Sequence, residues 1–246
     1  MFDSLAHVFQ PLAIKQFNLL LVVYLVAITA EAMSGALAAG RRNMDFFGVA
    51  VIAFVTALGG GTIRDVVLGN FPIGWTQHPE YVYLVILAGL ATTLLAKFMH
   101  HMKGVFLMLD ALGLVAFSLI GCNVALQLDY PIVVIIMAGM LTGICGGVLR
   151  DVLCNQVPIV FCRELYASVS LFVCALFLAL RSLGFDTDLN TVVCFIVGFG
   201  FRMLALRFVG SSRRFHISND GISAESIISN DWMAVQDIAV DQSPMT

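Results

Sequence analysis

The chain has 246 residues, 60% of them hydrophobic and only 12% charged, with a formal net charge of -3 and a mean hydropathy of +0.95. An ordinary soluble domain is about 45–50% apolar and about 25% charged, and one aqueous core of this length cannot bury so much apolar surface, so the solvent for most of the chain is lipid. A secreted disulfide scaffold and a disordered chain are excluded, as is a nucleic-acid-binding domain, because no basic patch is available to neutralise phosphates.

A helix rises about 1.5 Å per residue, so crossing about 30 Å of hydrocarbon takes about 20 apolar residues. Seven segments meet that requirement: 17–40, 46–68, 81–99, 104–127, 131–154, 164–182 and 190–209. The first has only Lys15 before it as a fixed positive charge and stays apolar as far as Gly40. That is too long for a signal core, so it reads as a span and not as a cleaved leader. Short connectors carry the breakers and charges: Arg41-Arg42-Asn43, Gly69 to Glu80, His100 to Lys103, Gln127 to Tyr130, Asn155 to Arg163 and Leu183 to Asp188. Sustained period-2 alternation is absent, which excludes a barrel of strands.

With seven spans, one face of the membrane carries Arg41, Arg42, Lys97, Lys103, Arg163, Arg207, Arg213 and Arg214, and the other carries Lys15 and Arg181. Positive charge collects on the cytoplasmic side, so the expected N-terminus is outside and the C-terminus is cytoplasmic. Beyond residue 210 Ser, Asn and Asp dominate and Ile-Ser-Asn-Asp occurs twice, from Ile217 and from Ile228. This is a polar, weakly ordered tail in which Trp232 and Met233 are the apolar exceptions. The six cysteines, Cys122, Cys145, Cys154, Cys162, Cys174 and Cys194, have no metal-ligand spacing and read as small buried hydrophobes. His100 and His101, beside Lys97 and Lys103, read as a basic loop.

A shift of 86 residues superimposes two segments without a gap. Gly59-Gly60-Gly61-Thr62-Ile63-Arg64-Asp65-Val66 falls on Cys145-Gly146-Gly147-Val148-Leu149-Arg150-Asp151-Val152, Thr56 on Thr142, Ala39 on Ala125, Gly35 on Gly121, and Pro72-Ile73 on Pro158-Ile159. Each copy holds three spans. An odd number means that the second copy enters from the opposite face, and the expected architecture is an all-α integral membrane protein of seven transmembrane helices. Two inverted three-helix repeats, 17–99 and 104–182, are followed by an extra helix, 190–209, and the tail, 210–246. Inverted repeats of this kind place a site near the midplane, where the copies meet.

The second and fifth spans carry the chemistry. Glycines in a helix interior cost about 1 kcal/mol each relative to Ala, and charge at membrane depth costs from about 2.5 to over 10 kcal/mol. Both motifs combine the two. The expectation is that each span breaks at its glycines into half-helices whose freed carbonyls and N–H groups form partly charged rings, lining a cavity or buried in protein. Gly59, Gly60, Gly61, Thr62, Arg64 and Asp65, with Gly146, Gly147, Arg150 and Asp151, are then the pathway candidates. Thr56 and Thr142 add hydroxyls, and Glu31, alone inside the first span beside the small-residue run Ala32 to Gly40, is a further candidate. Asp110, near the start of the fourth span, reads either as a second intramembrane acid of functional interest or as an interface residue, Arg202 is expected to snorkel to the cytoplasmic side, and Trp75, Tyr81, Tyr83 and Tyr130 are expected as interface anchors.

These motifs, together with the run Ser34-Gly35-Ala36-Leu37-Ala38-Ala39, resemble a bacterial membrane family known by two descriptions. One is the glycine transporter domain family, which occurs twice per chain; the other is the prokaryotic branch of the trimeric intracellular cation channels (TRIC). The resemblance covers about residues 17–209. It implies a 3+3+1 arrangement in the bacterial inner membrane, a homotrimer, and one pathway per subunit lined by second and fifth helices kinked at Gly59–Gly61 and Gly146–Gly147. Cys145 stands where the first copy has Gly59, which implies a shallower second bend.

Two functions compete. The reading placed first is uptake of a small zwitterion, glycine above all, its carboxylate on an N–H end and its ammonium on a carbonyl end. The alternative is a monovalent cation (K⁺) channel, in which carbonyls and the Thr56 and Thr142 hydroxyls replace hydration water. Arg64 and Arg150 oppose a cation path unless Asp65 and Asp151 neutralise them. No nucleophile–base pair, metal cluster or phosphate loop is visible, so no enzyme activity, catalytic residue, metal or cofactor is expected. The expected partners are the lipid bilayer, a small solute or ion, and further copies of the chain.

Overall fold

The computed structural model describes residues 19–96, 102–162, 165–208, 216–218 and 221–223. Nine helices are described: α1 (Leu19–Arg41), α2 (Phe46–Leu68), α3 (Gly74–Gln77), α4 (Glu80–Ala96), α5 (Met102–Gln127), α6 (Ile132–Leu153), α7 (Ile159–Cys162), α8 (Leu165–Ser182) and α9 (Thr187–Phe208). Their bounds fall within a few residues of the seven predicted spans, with α3 and α7 as short extra turns in two connectors. Six of them, α1, α2, α5, α6, α8 and α9, are long and apolar enough to cross a membrane. The helix in the third predicted span, α4, has 17 residues and rises about 25 Å, short of a full crossing. The rest of that span, 97–99, lies outside the described residues. So do residues 17–18, Lys97, His100, His101, Arg163 and most of the predicted tail, Trp232 and Met233 included. Within the tail, β1 (His216–Ser218) pairs antiparallel with β2 (Gly221–Ser223), a hairpin that polar composition alone did not suggest.

The most consequential difference concerns α2 and α6. Both run as uninterrupted α-helices through Gly59–Gly61 and Gly146–Gly147. The expected break into half-helices is absent, and no rings of freed carbonyls and N–H groups form at those positions. Glycine runs beside charge do not by themselves require open backbone. Here the glycines serve close approach instead. A Cβ on Gly60 would stand 2.5 Å from the Thr142 carbonyl oxygen, and one on Gly146 would overlap the Thr56 carbonyl oxygen. Moving from Thr56 to Gly60 along α2 thus moves from Gly146 to Thr142 along α6, so the two helices cross antiparallel.

The same shift of 86 residues recurs in the packing. Gly35 on α1 lies over α2, where its Cβ would meet Thr56 Oγ1 at 2.7 Å; Gly121 on α5 lies over α6, where its Cβ would meet Thr142 Oγ1 at 2.5 Å. Both hydroxyls donate back along their own helices, Thr56 to the Ile52 carbonyl and Thr142 to the Ala138 carbonyl, each at 2.6 Å. The turns correspond as well. After α1 and α5 the chain passes through Asn43 and Asp129, and after α2 and α6 through Gly69 and Asn155, all four with positive φ. These residue types tolerate the left-handed conformation that caps a helix. α5 is the most buried span and packs on α1, α6, α8 and α9. Its apolar face joins α6, α8 and α9 in one core cluster that includes Leu114, Val169, Val173 and Phe177.

Gly60→Ala and Gly146→Ala should each cost about 1–3 kcal/mol, the scale of overpacking, lowering the thermal unfolding midpoint in detergent. Gly61→Ala, whose methyl would meet only Arg64 Nη2 at 3.8 Å, should stay within about 1 kcal/mol of the parent. Equal behaviour of the three variants would contradict a crossing at Gly60 and Gly146.

Candidate functional site

One turn beyond the crossing, each central helix presents its Arg-Asp pair. Neighbouring helix positions do not face each other, so each arginine reaches its own aspartate only by folding its long side chain back. Arg64 donates from Nε at 3.0 Å and from Nη2 at 2.8 Å to Asp65 Oδ1, and Asn70 Nδ2 donates to the same oxygen at 2.9 Å. Arg150 Nε donates to Asp151 Oδ1 at 2.8 Å, while Asp151 Oδ2 accepts the Ile159 N–H at 2.9 Å and so holds the start of α7. Because α2 and α6 are antiparallel, the two pairs lie on opposite sides of the crossing. The first borders a cavity that Tyr24 also lines, and the second bonds Ser34. Ten residues of α1 separate those contacts, about 15 Å.

The first pair opens onto space. A cavity of about 30 Å³ is lined by Arg64, Asp65, Gly61, Thr62, Thr142 and Trp75 among others, room for about two water molecules. Trp75, expected as an interface anchor, donates from Nε1 to Thr62 Oγ1 at 3.0 Å and packs edge-on against Phe54. Tyr81 likewise packs edge-on against Tyr24, and the Tyr130 hydroxyl donates to the Leu68 carbonyl at 2.8 Å. Of the four expected anchors, Tyr83 is widely exposed.

The second pair sits in a closed cluster. Arg150 is 0% exposed; its Nη1 donates to Ser34 Oγ at 2.6 Å and to Asp110 Oδ1 at 2.8 Å. Two guanidinium groups lie over the Phe106 ring, Arg150 at 4.6 Å and Arg41 at 4.3 Å from its centre, within cation–π range. Gly147 leaves the space in which Arg150 Nη2, the Tyr166 hydroxyl and Asp110 Oδ1 converge. Glu31 is 2% exposed and is pressed against Gly113 so closely that a Cβ there would overlap its carboxylate.

Two alternatives are settled at this cluster. Asp110 is fully buried at its centre and not at the interface, and Arg202, 1% exposed, does not snorkel. Arg202 lies over the Tyr166 ring at 4.5 Å, with Nη2 3.9 Å from Asp110 Oδ2. Glu31, Arg150 and Asp151 are thus brought together from the predicted set, while Thr62, Arg64 and Asp65 form a separate group. Gly60, Gly146, Thr56 and Thr142 mark the crossing between them, and Gly59 faces Leu149. Ser34, Tyr166 and Tyr24 were not singled out for this role; the available signal was the shift of 86 residues, which places Tyr24 and Asp110 in register. Cys122, Cys154, Cys174 and Cys194 are buried as expected, whereas Cys145 is half-buried and Cys162 exposed.

A family model described as glycine transporter matches the chain twice, over residues 21–97 and 107–182. A UPF0126 membrane protein of Vibrio cholerae is 39% identical over 152 residues, which span 61% of this chain and only 64% of that protein. The UPF0126 inner membrane protein YadS of Escherichia coli K12 is 37% identical over 145 residues, spanning 58% of this chain and 70% of that protein. Among solved structures, the TRIC trimeric intracellular cation channel orthologue from Rhodobacter sphaeroides matches with a TM-score of 0.74 and 33% identity. That match covers 77% of this chain and 97% of the solved one.

Removing Arg150 would leave Asp110 and Asp151 buried without their guanidinium partner. Arg150→Ala should therefore destabilise the protein by about 3–5 kcal/mol, measured by thermal unfolding in detergent. Arg150→Lys should recover only part of this, because one ammonium cannot reproduce a planar fork bonded at both Nε and Nη1.

Proposed function

Because this chain belongs to the glycine transporter (TRIC) family of membrane transport proteins, we propose that it conducts monovalent cations, K⁺ in particular, through a pathway between α2 and α6. The observation that carries this reading is the near-complete fold match to a cation channel, joined to the neutralisation of both guanidinium groups. Arg64 is paired by Asp65 and Arg150 by Asp110 and Asp151, which removes the electrostatic objection to a cation path. The glycine uptake placed first on sequence grounds relied on half-helix ends as carboxylate and ammonium sites, and continuous α2 and α6 lack them.

In this conformation α2 and α6 touch at Gly60 and Gly146, so the path opens by their separation. Asp65, Thr62 and Thr142 line the entrance next to Arg64. The proposed frame is seven spans in a 3+3+1 order, with inverted units 17–99 and 104–182, an extra helix 190–209 and a tail from 210. The antiparallel crossing and the recurrence of contacts at one offset support it, with α4 as the short third span. A homotrimer in the bacterial inner membrane, N-terminus outside, is in keeping with the trimeric channel orthologue, with YadS as an inner membrane protein and with the bias of Lys and Arg between loops.

Purified protein in liposomes should pass a K⁺ current and show no saturable exchange of labelled glycine; the opposite pair of results would overturn the cation reading. Asp65→Asn should cut the K⁺ current at least ~10-fold, since an unpaired charge about 4 Å from a cation is worth about 4 kcal/mol at an effective dielectric of 20. Fluorescence of a C-terminal green fluorescent protein fusion in intact bacterial cells, and a trimer mass by light scattering in detergent, are the expected results for orientation and assembly.

A further inference from the structure

Asp110 and Arg202 stand outside the correspondence between the two halves. Shifted back by 86 residues, Asp110 falls on Tyr24, so the second cluster holds an acid that the first lacks. α9 lies beyond the second matched segment, 107–182, and delivers an arginine to that acid. The two additions are opposite in charge and meet each other, although they arise on elements far apart in the chain. A buried charge in a bilayer persists where it has a partner, and Arg202 and Asp110 are both buried.

The geometry around Asp110 is unequal at its two oxygens. Oδ1 accepts from Arg150 Nη1 at 2.8 Å and from the Tyr166 hydroxyl at 3.4 Å. Oδ2 faces Arg202 Nη2 across 3.9 Å. Asp110 Oδ2 and Arg202 Nε and Nη2 carry no hydrogen bond among the described residues, although all three are buried. A movement of about 1 Å would bring the pair to the length of a charge-assisted hydrogen bond. Arg202 is already oriented for it by the Tyr166 ring.

We infer that Arg202 is a positioning residue: it competes with Arg150 for Asp110, and engaging Asp110 loosens the hold of α5 on α6 and favours separation of α2 from α6. In the conformation described, the helices are in contact at the crossing, Arg150 is hydrogen-bonded to Asp110 Oδ1, and Arg202 stands 3.9 Å from Asp110 Oδ2 without a hydrogen bond. When the Arg202–Asp110 contact closes, Asp110 moves toward α9 and Arg150 keeps Asp151 and Ser34. The inference rests on the conduction reading only for its effect on opening; the competition for Asp110 stands independently of what is transported.

The test uses the full chain carrying Arg202→Gln, Arg202→Lys, Asp110→Asn and the Arg202→Gln/Asp110→Asn double variant. In single-channel recordings of reconstituted protein, Arg202→Gln should lower the open probability about ten-fold, the scale of one charge-assisted hydrogen bond. Unit conductance should be unchanged, and Arg202→Lys should restore most of the open probability. A parental open probability in Arg202→Gln, or a changed unit conductance, overturns the inference. Thermal unfolding in detergent supplies the arm independent of substrate. Arg202→Gln should shift the midpoint of the parent more than that of Asp110→Asn, where only the contact with the Tyr166 ring remains to be lost, and additive shifts overturn the contact itself. Should the parent pass glycine and no K⁺, the conduction reading fails, and the same ten-fold effect is then sought in glycine exchange, where its absence overturns the positioning role.

Discussion

The crossing of α2 and α6 at Gly60 and Gly146 is the constraint on which the rest of the molecule is arranged. Two backbones approach until each glycine faces a carbonyl oxygen of the other helix, a distance that no larger residue permits. That approach fixes the height of everything else on the two helices. Thr56 and Thr142 must return their hydroxyls to their own carbonyls, because α1 and α5 press glycines against them from behind. One turn further on, Arg64 and Arg150 are delivered to opposite sides of the contact, each with an aspartate beside it. Thus close packing, not an opening of the main chain, sets the polar groups in place.

Much of this was legible in the residues. The lengths of the apolar runs fixed the helices closely, because a charged or turn-forming residue ends each one. The shift of 86 residues flagged the glycines, threonines and Arg-Asp pairs that the packing then uses at equivalent places. What misled was the inference from glycine and charge to a broken helix. Glycine admits a second backbone as readily as it breaks a helix, and each arginine satisfies the aspartate beside it without any change in the main chain. The sequence leaves Asp110 open and misplaces Arg202 for a related reason. Each lies near a helix end in the sequence, where escape to water is the default for a lone charge. That each is retained in the interior by the other depends on α5, α8 and α9 meeting, which no local pattern encodes.

The two halves differ in ways their shared motif conceals. Beside Arg64 the chain leaves a small cavity covered by Trp75, whose indole bonds Thr62; at the matching position of Thr62 the second copy has Val148, and Phe161, matching Trp75, faces outward. Beside Arg150 the interior is filled by Phe106, Tyr166 and a second acid. The first half thus keeps a cavity beside its guanidinium, whereas the second surrounds its own with buried aromatic and acidic side chains.

The bond between Ser34 and Arg150 joins residues 116 positions apart, and it bears on how the protein is made. Ribosomal synthesis commits α1, with Glu31 and Ser34, to the bilayer long before α5 and α6 emerge. Until then the acid in the first span has neither Gly113 nor the Arg150 cluster around it. Neither half can reach its native interior as a separate nascent unit, because Ser34 in the first bonds Arg150 in the second.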